Sequence, residues 1–354
     1  MGLLADNFTL KSPVFRRSIR TAVAITIAVY IAELLGFVKG YWLPMTTLIV
    51  MEVTVGGALR KGWHRMLGTL VGVVIATGIL LANINLFWLQ FIFLIALFFA
   101  YYLKSYNVNN YGFVAFTVTV MILILFQLVM PHAEVYFLPR LYETVIGACF
   151  GMLMSIIILP TRSMTLQKET LTKLIGKYKE FFQYQFAALV QKKNAYVCIL
   201  ADAKTEILEM LVVNRVLLRV LRYESFINPR HMRVRANAVF SLERIDHLAL
   251  SIDANVSQLF MHKLSDSLIN DISLLNDDIQ FAFELMLEHI KHQKRDETAI
   301  NKNTLNHLRD FTKNIEALTP ENEATINWLN SLAYDLKDLV KILRKLDEYV
   351  IKST

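Results

Sequence analysis

The sequence predicts an all-α protein, a six-helix transmembrane domain over residues 1–162 followed by a cytoplasmic α-helical bundle over 163–354. Three observations predict it. Up to Thr161, long apolar runs follow one another with few charges between them. From about Thr165, Lys, Glu, Asp and Gln recur at helical spacing. The net charge of +7 also falls on the first half: residues 1–164 hold 11 Lys/Arg against 5 Asp/Glu, and the remainder balances 26 against 25. A basic surplus confined to the apolar half fits loops that set membrane orientation. It gives no support to nucleic-acid binding.

A bilayer core takes roughly 20 apolar residues per helix. Six segments approach that length, about 18–37, 41–58, 66–82, 85–103, 111–130 and 139–160. Their connections are short, so neighbours run antiparallel. Lys11, Arg16, Arg17, Arg20, Arg60, Lys61, Arg65, Lys104, Arg162 and Lys168 then fall on one side, and only Lys39 and Arg140 on the other. That asymmetry places both termini in the cytoplasm. Arg16, Arg17 and Arg20 precede the first apolar run, and no small-residue cleavage site follows it, so it reads as a retained helix and not a signal peptide.

Trp42, Trp88, Tyr101, Tyr102, Tyr111 and Tyr136 stand near segment ends, as interfacial anchors do. The fourth segment is rich in Phe and offers either a lipid-facing surface or a stacking surface. Cys149 and Cys198 make no disulfide framework and are expected as buried small hydrophobes.

In the second half, Leu171, Leu174, Ile175, Tyr178, Phe181, Phe182 and Phe186 mark one face of a first helix. A second runs from about Ala195 to Arg222 and is broken at Asn228-Pro229. A third runs to about His262, a fourth carries apolar positions from Leu264 to Ile290, and a fifth covers about 300–317. Thr319-Pro320 opens the last helix with an N-cap residue and a first-turn proline. Its Leu329, Leu332, Leu336, Leu339, Leu343, Leu346 and Val350 form a heptad seam, which serves either the bundle or a second subunit.

Glu52 is the sharpest chemical signal. A charge in mid-bilayer costs on the order of 2.5–3.5 kcal/mol and so faces a cavity or a partner. Arg60 is two turns away, so Glu52 has no cation close by on one continuous helix. A proton-exchanging role follows, with a neutral structural carboxyl as the plain alternative. Glu33 lies near a segment end, and Glu143, one turn after Arg140, reads as its ion-pair partner. The positive-inside rule alone explains Arg60, Lys61 and Arg65; as pathway residues, Arg65 and Arg140 would attract an anion at the two mouths. Gly68, Gly72, Gly147 and Gly151 lie on small-residue stripes that let helices pack closely. Arg65-x-x-x-Thr69-x-x-Gly72 and Arg140-x-x-x-Thr144-x-x-Gly147 suggest two three-helix units of opposite orientation.

The arginines at 215, 219, 222, 230, 233, 235 and 244 read as a solvated, salt-bridged face. His289 and His292 sit among Lys291, Lys294 and Arg295, and like charge argues against a metal there. No phosphate loop, zinc-hydrolase pattern, dinucleotide turn or nucleophile elbow is found, so no catalytic residues, cofactor or metal are expected, and the protein is not read as an enzyme.

Trp42-Leu-Pro-x-Thr, Gly57-Ala58-x-Arg60, Arg65-x-x-Gly68-Thr69-x-x-Gly72 and Arg140-x-x-Glu143-Thr144-x-x-Gly147-Ala148 resemble the fusaric acid resistance and aromatic acid exporter family. Plant aluminium-activated malate transporters are distant relatives. The resemblance implies a bacterial inner-membrane efflux protein that moves small organic anions, often aromatic carboxylates, outward. Its partners are then membrane lipid and that anion, with no nucleic acid. Many members carry two membrane-plus-cytoplasmic units, so one unit implies a homodimer. Coupling to protons through Glu52 is the first functional expectation. A passive anion channel, and a membrane-anchored scaffold or sensor with a partner-binding helical domain, are the alternatives.

Overall fold

The computed structural model describes residues 8–10, 12–37, 40–82, 84–106, 111–130, 137–191, 196–224, 229–260, 262, 264–292, 300, 302–318 and 323–353. Among them the fold is all-α, with twelve helices and no strand. The chain divides into two compact units, Met1–Ser163 and Met164–Thr354.

The first unit holds α1 (Pro13–Leu34), α2 (Trp42–Val50), α3 (Val55–Leu81), α4 (Leu86–Tyr106), α5 (Tyr111–Val129) and α6 (Phe137–Ile157). Among the described residues, four stretches are long and apolar enough to cross a membrane: α3, residues Leu86–Leu103 of α4, α5 and α6. The expected helix over 41–58 is two pieces. Nine-residue α2 ends at Met51, whose backbone is extended, and α3 restarts after Thr54. The expected basic turn at 60–65 is therefore helical and lies inside α3. Local chemistry favours this break. β-Branched Val53 and Thr54 are mediocre helix formers, and the Thr54 side chain caps α3 by accepting from the Gly57 N–H at 3.1 Å.

Glycine contacts fix the register of these helices. A Cβ on Gly147 would meet Leu43 O at 2.6 Å, and one on Gly151 would meet Val50 at 3.3 Å, so α2 runs alongside α6 in the same direction. One on Gly62 would meet Met152, while Val73 clusters with Phe137, so α3 runs opposite to α6. Gly68 faces Gly112 and Ala115, and Gly72 faces Thr119, so α3 and α5 are parallel. Thus α3 of the first three helices packs on α5 of the second three, and α6 packs on α2. Such an exchange is what a pseudo-twofold relation between inverted units would give. Cys149, expected inside, is exposed on α6. It lies beyond the buried α6 stripe of Arg140, Glu143, Thr144, Gly147, Ala148, Gly151 and Ser155.

The second unit holds α7 (Ser163–Gln191), α8 (Tyr196–Glu224), α9 (Pro229–Leu259), α10 (Asp266–His292), α11 (Lys302–Glu316) and α12 (Glu323–Ser353). The apolar face of α7 forms one core with α9, α10 and α12, including stacked Phe182 and Phe283 at 5.9 Å. All seven α12 seam residues are buried in this core, and α12 packs chiefly on α9. The seam is therefore occupied within the bundle. Two buried acids pin α12. Asp335 accepts from Ser251 and Asn255 of α9, and Asp347 meets His289 of α10 at 2.8 Å. His289 thus belongs to the core, while Lys291 is exposed. Among the described residues no group of three or more His, Cys, Asp or Glu could hold a metal.

Of the basic face, Arg215 pairs with Glu243, and buried Arg235 donates to Gln167 at 3.0 Å. Lys39, Tyr136, Ala195, Asn228 and Thr319-Pro320 lie outside the described residues, as do the side chains of Lys104, Cys198, Arg230 and His292.

Candidate functional site

An unwound stretch inside an apolar unit leaves backbone carbonyls without helical donors, and each must find a partner. Here α1 supplies them. Arg20, on the same stripe as buried Ala24, Ala28 and Ala32, is itself fully buried. Its guanidinium donates to the carbonyls of Glu52 and Val53, the latter at 3.1 Å, and lies 3.5 Å from that of Ser155. Arg17 donates to Met51 O at 3.2 Å. Cations at the carbonyl end of α2 also match its dipole.

The break moves Glu52 off the helical path, so that Lys61, one and a half turns into α3, reaches back to it. Lys61 Nζ lies 2.6 Å from Glu52 Oε1, with both side chains about a third exposed. The expectation that Glu52 lacks a nearby cation is corrected, because helical spacing does not extend across 51–54. Lys61 also sits over the Tyr111 ring, 5.4 Å from its centre. Arg60 is half-buried near the start of α3, and Glu33 is exposed on the last turn of α1, off its buried stripe.

Deeper in the unit, Arg65 and Arg140 come close enough to act on one another electrostatically, so a bilayer thickness does not separate them. Tyr111, at the start of α5, interacts with both. Arg140 is 0% exposed, and its guanidinium lies over Trp42, 4.8 Å from the ring centre. None of its three nitrogens has a hydrogen-bond partner among the described residues, nor do Arg65 Nε and the hydroxyls of Thr46 and Thr144. Thr46 and Thr144 lie one turn along α2 and α6 from Trp42 and Arg140. Glu143, also 0% exposed, is within electrostatic reach of Arg140.

The result is a cluster of donors and positive charge walled by an indole. A guanidinium whose face is covered by a ring still presents its N–H edge, the edge that grips a carboxylate with two parallel bonds. Sequence reasoning missed Arg20 as the donor to the unwound stretch, and it found Arg65 and Arg140 without Trp42 and Tyr111 beside them. The four-residue spacing of Arg20, Ala24, Ala28 and Ala32 was the signal for the first. Gly68, Gly72, Gly147 and Gly151 bring α3 onto α5 and α6 onto α2, and so hold the cluster together.

Residues 27–154 match the fusaric acid resistance protein-like family. The chain is similar to an uncharacterised protein of Haemophilus influenzae, 28% identical over 42% of this chain and 20% of that one. It is similar to the uncharacterised protein YhfK of Escherichia coli, 31% identical over 41% of this chain and 20% of that one. With the inner membrane protein YccS of Escherichia coli it shares 25% identity over 84% of this chain and 40% of the relative. The chain thus spans at most two fifths of the length of these relatives. The apolar unit is a membrane domain, and residues 27–154, with the Arg65–Arg140 cluster inside them, are similar to the fusaric acid resistance protein-like family.

Proposed function

We propose that this protein is a carrier that moves small organic anions out across the bacterial inner membrane, binding their carboxylate between Arg140 and Arg65. The observation that carries the reading is Arg140: fully buried, laid on Trp42, and without a hydrogen-bond partner for its nitrogens among the described residues. A charge in such a place is costly, and a bound carboxylate offsets that cost where the low dielectric strengthens the attraction. Tyr111, Thr46 and Thr144 supply neutral donors around it. The aromatic wall suits a planar acid. Burial of the cluster favours a carrier, which encloses its substrate, over an open channel. The long α12 heptad favoured the scaffold reading, and its seam is buried within its own bundle. The inner membrane is the location printed for the YccS relative. We assign transport, with no reaction chemistry.

In this reading the membrane domain crosses six times. The short α2 and the extended 51–54 stretch together make the second crossing, Glu52–Lys61 steadies the break, both termini are cytoplasmic, and residues 163–354 form the cytoplasmic domain. Flux of labelled benzoate from proteoliposomes tests the function. Wild-type flux should saturate and fall strongly on Arg140→Met; flux no greater than from protein-free vesicles ends the reading.

A homodimer, if the seam does not make it, needs another surface, and α8 offers one. Leu208, Val212 and Val216 recur every four residues on it and are all about half exposed. Exposed Asp202 and Glu209 occupy its first half, exposed Arg219 and Arg222 its second. Two α8 helices of two copies, antiparallel about a twofold axis at Val212, bury the apolar stripe and set acidic halves against basic ones. Light scattering in detergent should give a dimer for wild type and a monomer for Val212→Glu; a dimeric variant removes α8 from the interface.

A further inference from the structure

We propose that Glu143 is the proton-exchanging group of this site, taking up one proton when an anion docks on Arg140 and releasing it when the anion leaves. The inference rests on the anion reading above and extends it to a residue that the reading does not use.

Three acids of the membrane domain are described, and their settings differ. Glu33 is exposed, and Glu52 has the Lys61 ammonium at 2.6 Å. Glu143 is 0% exposed, on the α6 stripe that faces α2 and α3, one turn from Arg140. Arg140 is the cation that offsets it from its own helix. Other ionisable groups around the pair are Arg65 from α3, Tyr111 from α5 and Tyr41 just before α2. On α1 the buried cation is Arg20, at Ser155, three turns further along α6 than Glu143.

Residues one turn apart on a helix have Cβ atoms about 5–6 Å apart. An anion seated on Arg140 brings a second carboxylate to that neighbourhood, and two carboxylates sharing one buried site do not ionise independently. Arg65 adds a second positive charge to the site, but it is also engaged with Tyr111. The proton comes from water and ends on a Glu143 carboxyl oxygen. When the anion departs, Arg140 again stabilises the carboxylate and the proton returns to water. By linkage, protons must then favour anion binding as strongly as the anion favours protonation. Anion and proton travel together, so the carrier runs outward when the undissociated acid is more concentrated inside.

The test is calorimetric titration of the full chain in detergent with benzoate, in two buffers of different ionisation enthalpy, between pH 6 and 8. Wild type should take up about one proton per benzoate where the linkage operates, and affinity there should tighten about tenfold per unit fall in pH. Glu143→Gln should bind benzoate with no proton uptake and no pH dependence. Benzoate binding by wild type without proton uptake overturns this inference and leaves the anion site standing. Uptake that persists in Glu143→Gln also overturns it. A wild type that binds no benzoate, or Arg140→Met binding as wild type does, overturns the anion site and this inference with it. The wild-type measurement decides the question even if Glu143→Gln does not fold.

Discussion

Lys61 reaches back over a four-residue break in the helix to put its ammonium 2.6 Å from the Glu52 carboxylate. The pair joins α3 to the extended stretch, while the backbone of that stretch is held by Arg17 and Arg20. Carboxylate and carbonyls are thus secured by different cations, and their losses should differ. Partly exposed ion pairs contribute up to about 1 kcal/mol. Glu52→Gln and Lys61→Met should each lower the detergent-solubilised melting temperature only slightly, and a double-mutant cycle should give a coupling under about 1 kcal/mol. A coupling of several kcal/mol would mean that the pair holds the break by itself.

Arg20→Met should be the more damaging change. It strips donors from the carbonyls of Glu52 and Val53 in an apolar unit, at a cost of about 1–3 kcal/mol for each buried group left unsatisfied. A melting temperature well below that of Glu52→Gln is expected. Equal melting temperatures would show that water or another side chain satisfies those carbonyls.

Two glycines should respond to alanine with opposite signs. At Gly147 the new Cβ would lie 2.6 Å from Leu43 O, so α2 must move off α6, and overpacking of this kind costs about 1–3 kcal/mol. At Gly78 nothing lies within 4 Å, and alanine is the better helix former by about 1 kcal/mol. Gly147→Ala should lower thermal stability and Gly78→Ala should hold or raise it. A stabilised Gly147→Ala would contradict the α2–α6 register.

In the second unit, burial pushes the Asp246 carboxyl above its ordinary range, and the Tyr178 hydroxyl, which donates to it at 3.3 Å, only partly opposes that. A carboxyl with a raised folded-state pKa binds more protons folded than unfolded. Its contribution is therefore present below the unfolded pKa and lost as pH rises through the folded one. Asp246→Asn should remove this share of the stability lost on raising pH from about 4, read as a flatter melting-temperature profile. An unchanged profile would show that Asp246 does not carry it.

Much of this structure is legible in periodicity. The apolar positions of α7, α10 and α12 named from spacing are the buried ones, because a 3.6-residue repeat leaves a helix one face to bury. The close-packed glycines are legible for a similar reason: four-residue spacing of small residues is useful only where two helices touch. What spacing could not show is where a helix stops inside an apolar run. Residues 41–58 keep their hydrophobicity through the break, and neither the Arg20 guanidinium that satisfies its carbonyls nor the Lys61 that reaches Glu52 is adjacent under uninterrupted helical geometry. For the same reason Arg65, expected at a helix end, lies ten residues into α3.

The most direct test of the anion site is to measure stability and benzoate binding together in Arg140→Met. A buried cation that lacks a permanent partner costs the fold free energy, and a hydrophobic replacement of similar length is neutral or stabilising. The same replacement removes a charge-assisted grip on a carboxylate, typically 2–5 kcal/mol, so affinity should fall at least about thirtyfold. The predicted result is an unchanged or higher melting temperature with benzoate binding lost. A folded variant that binds benzoate with wild-type affinity would contradict the assignment.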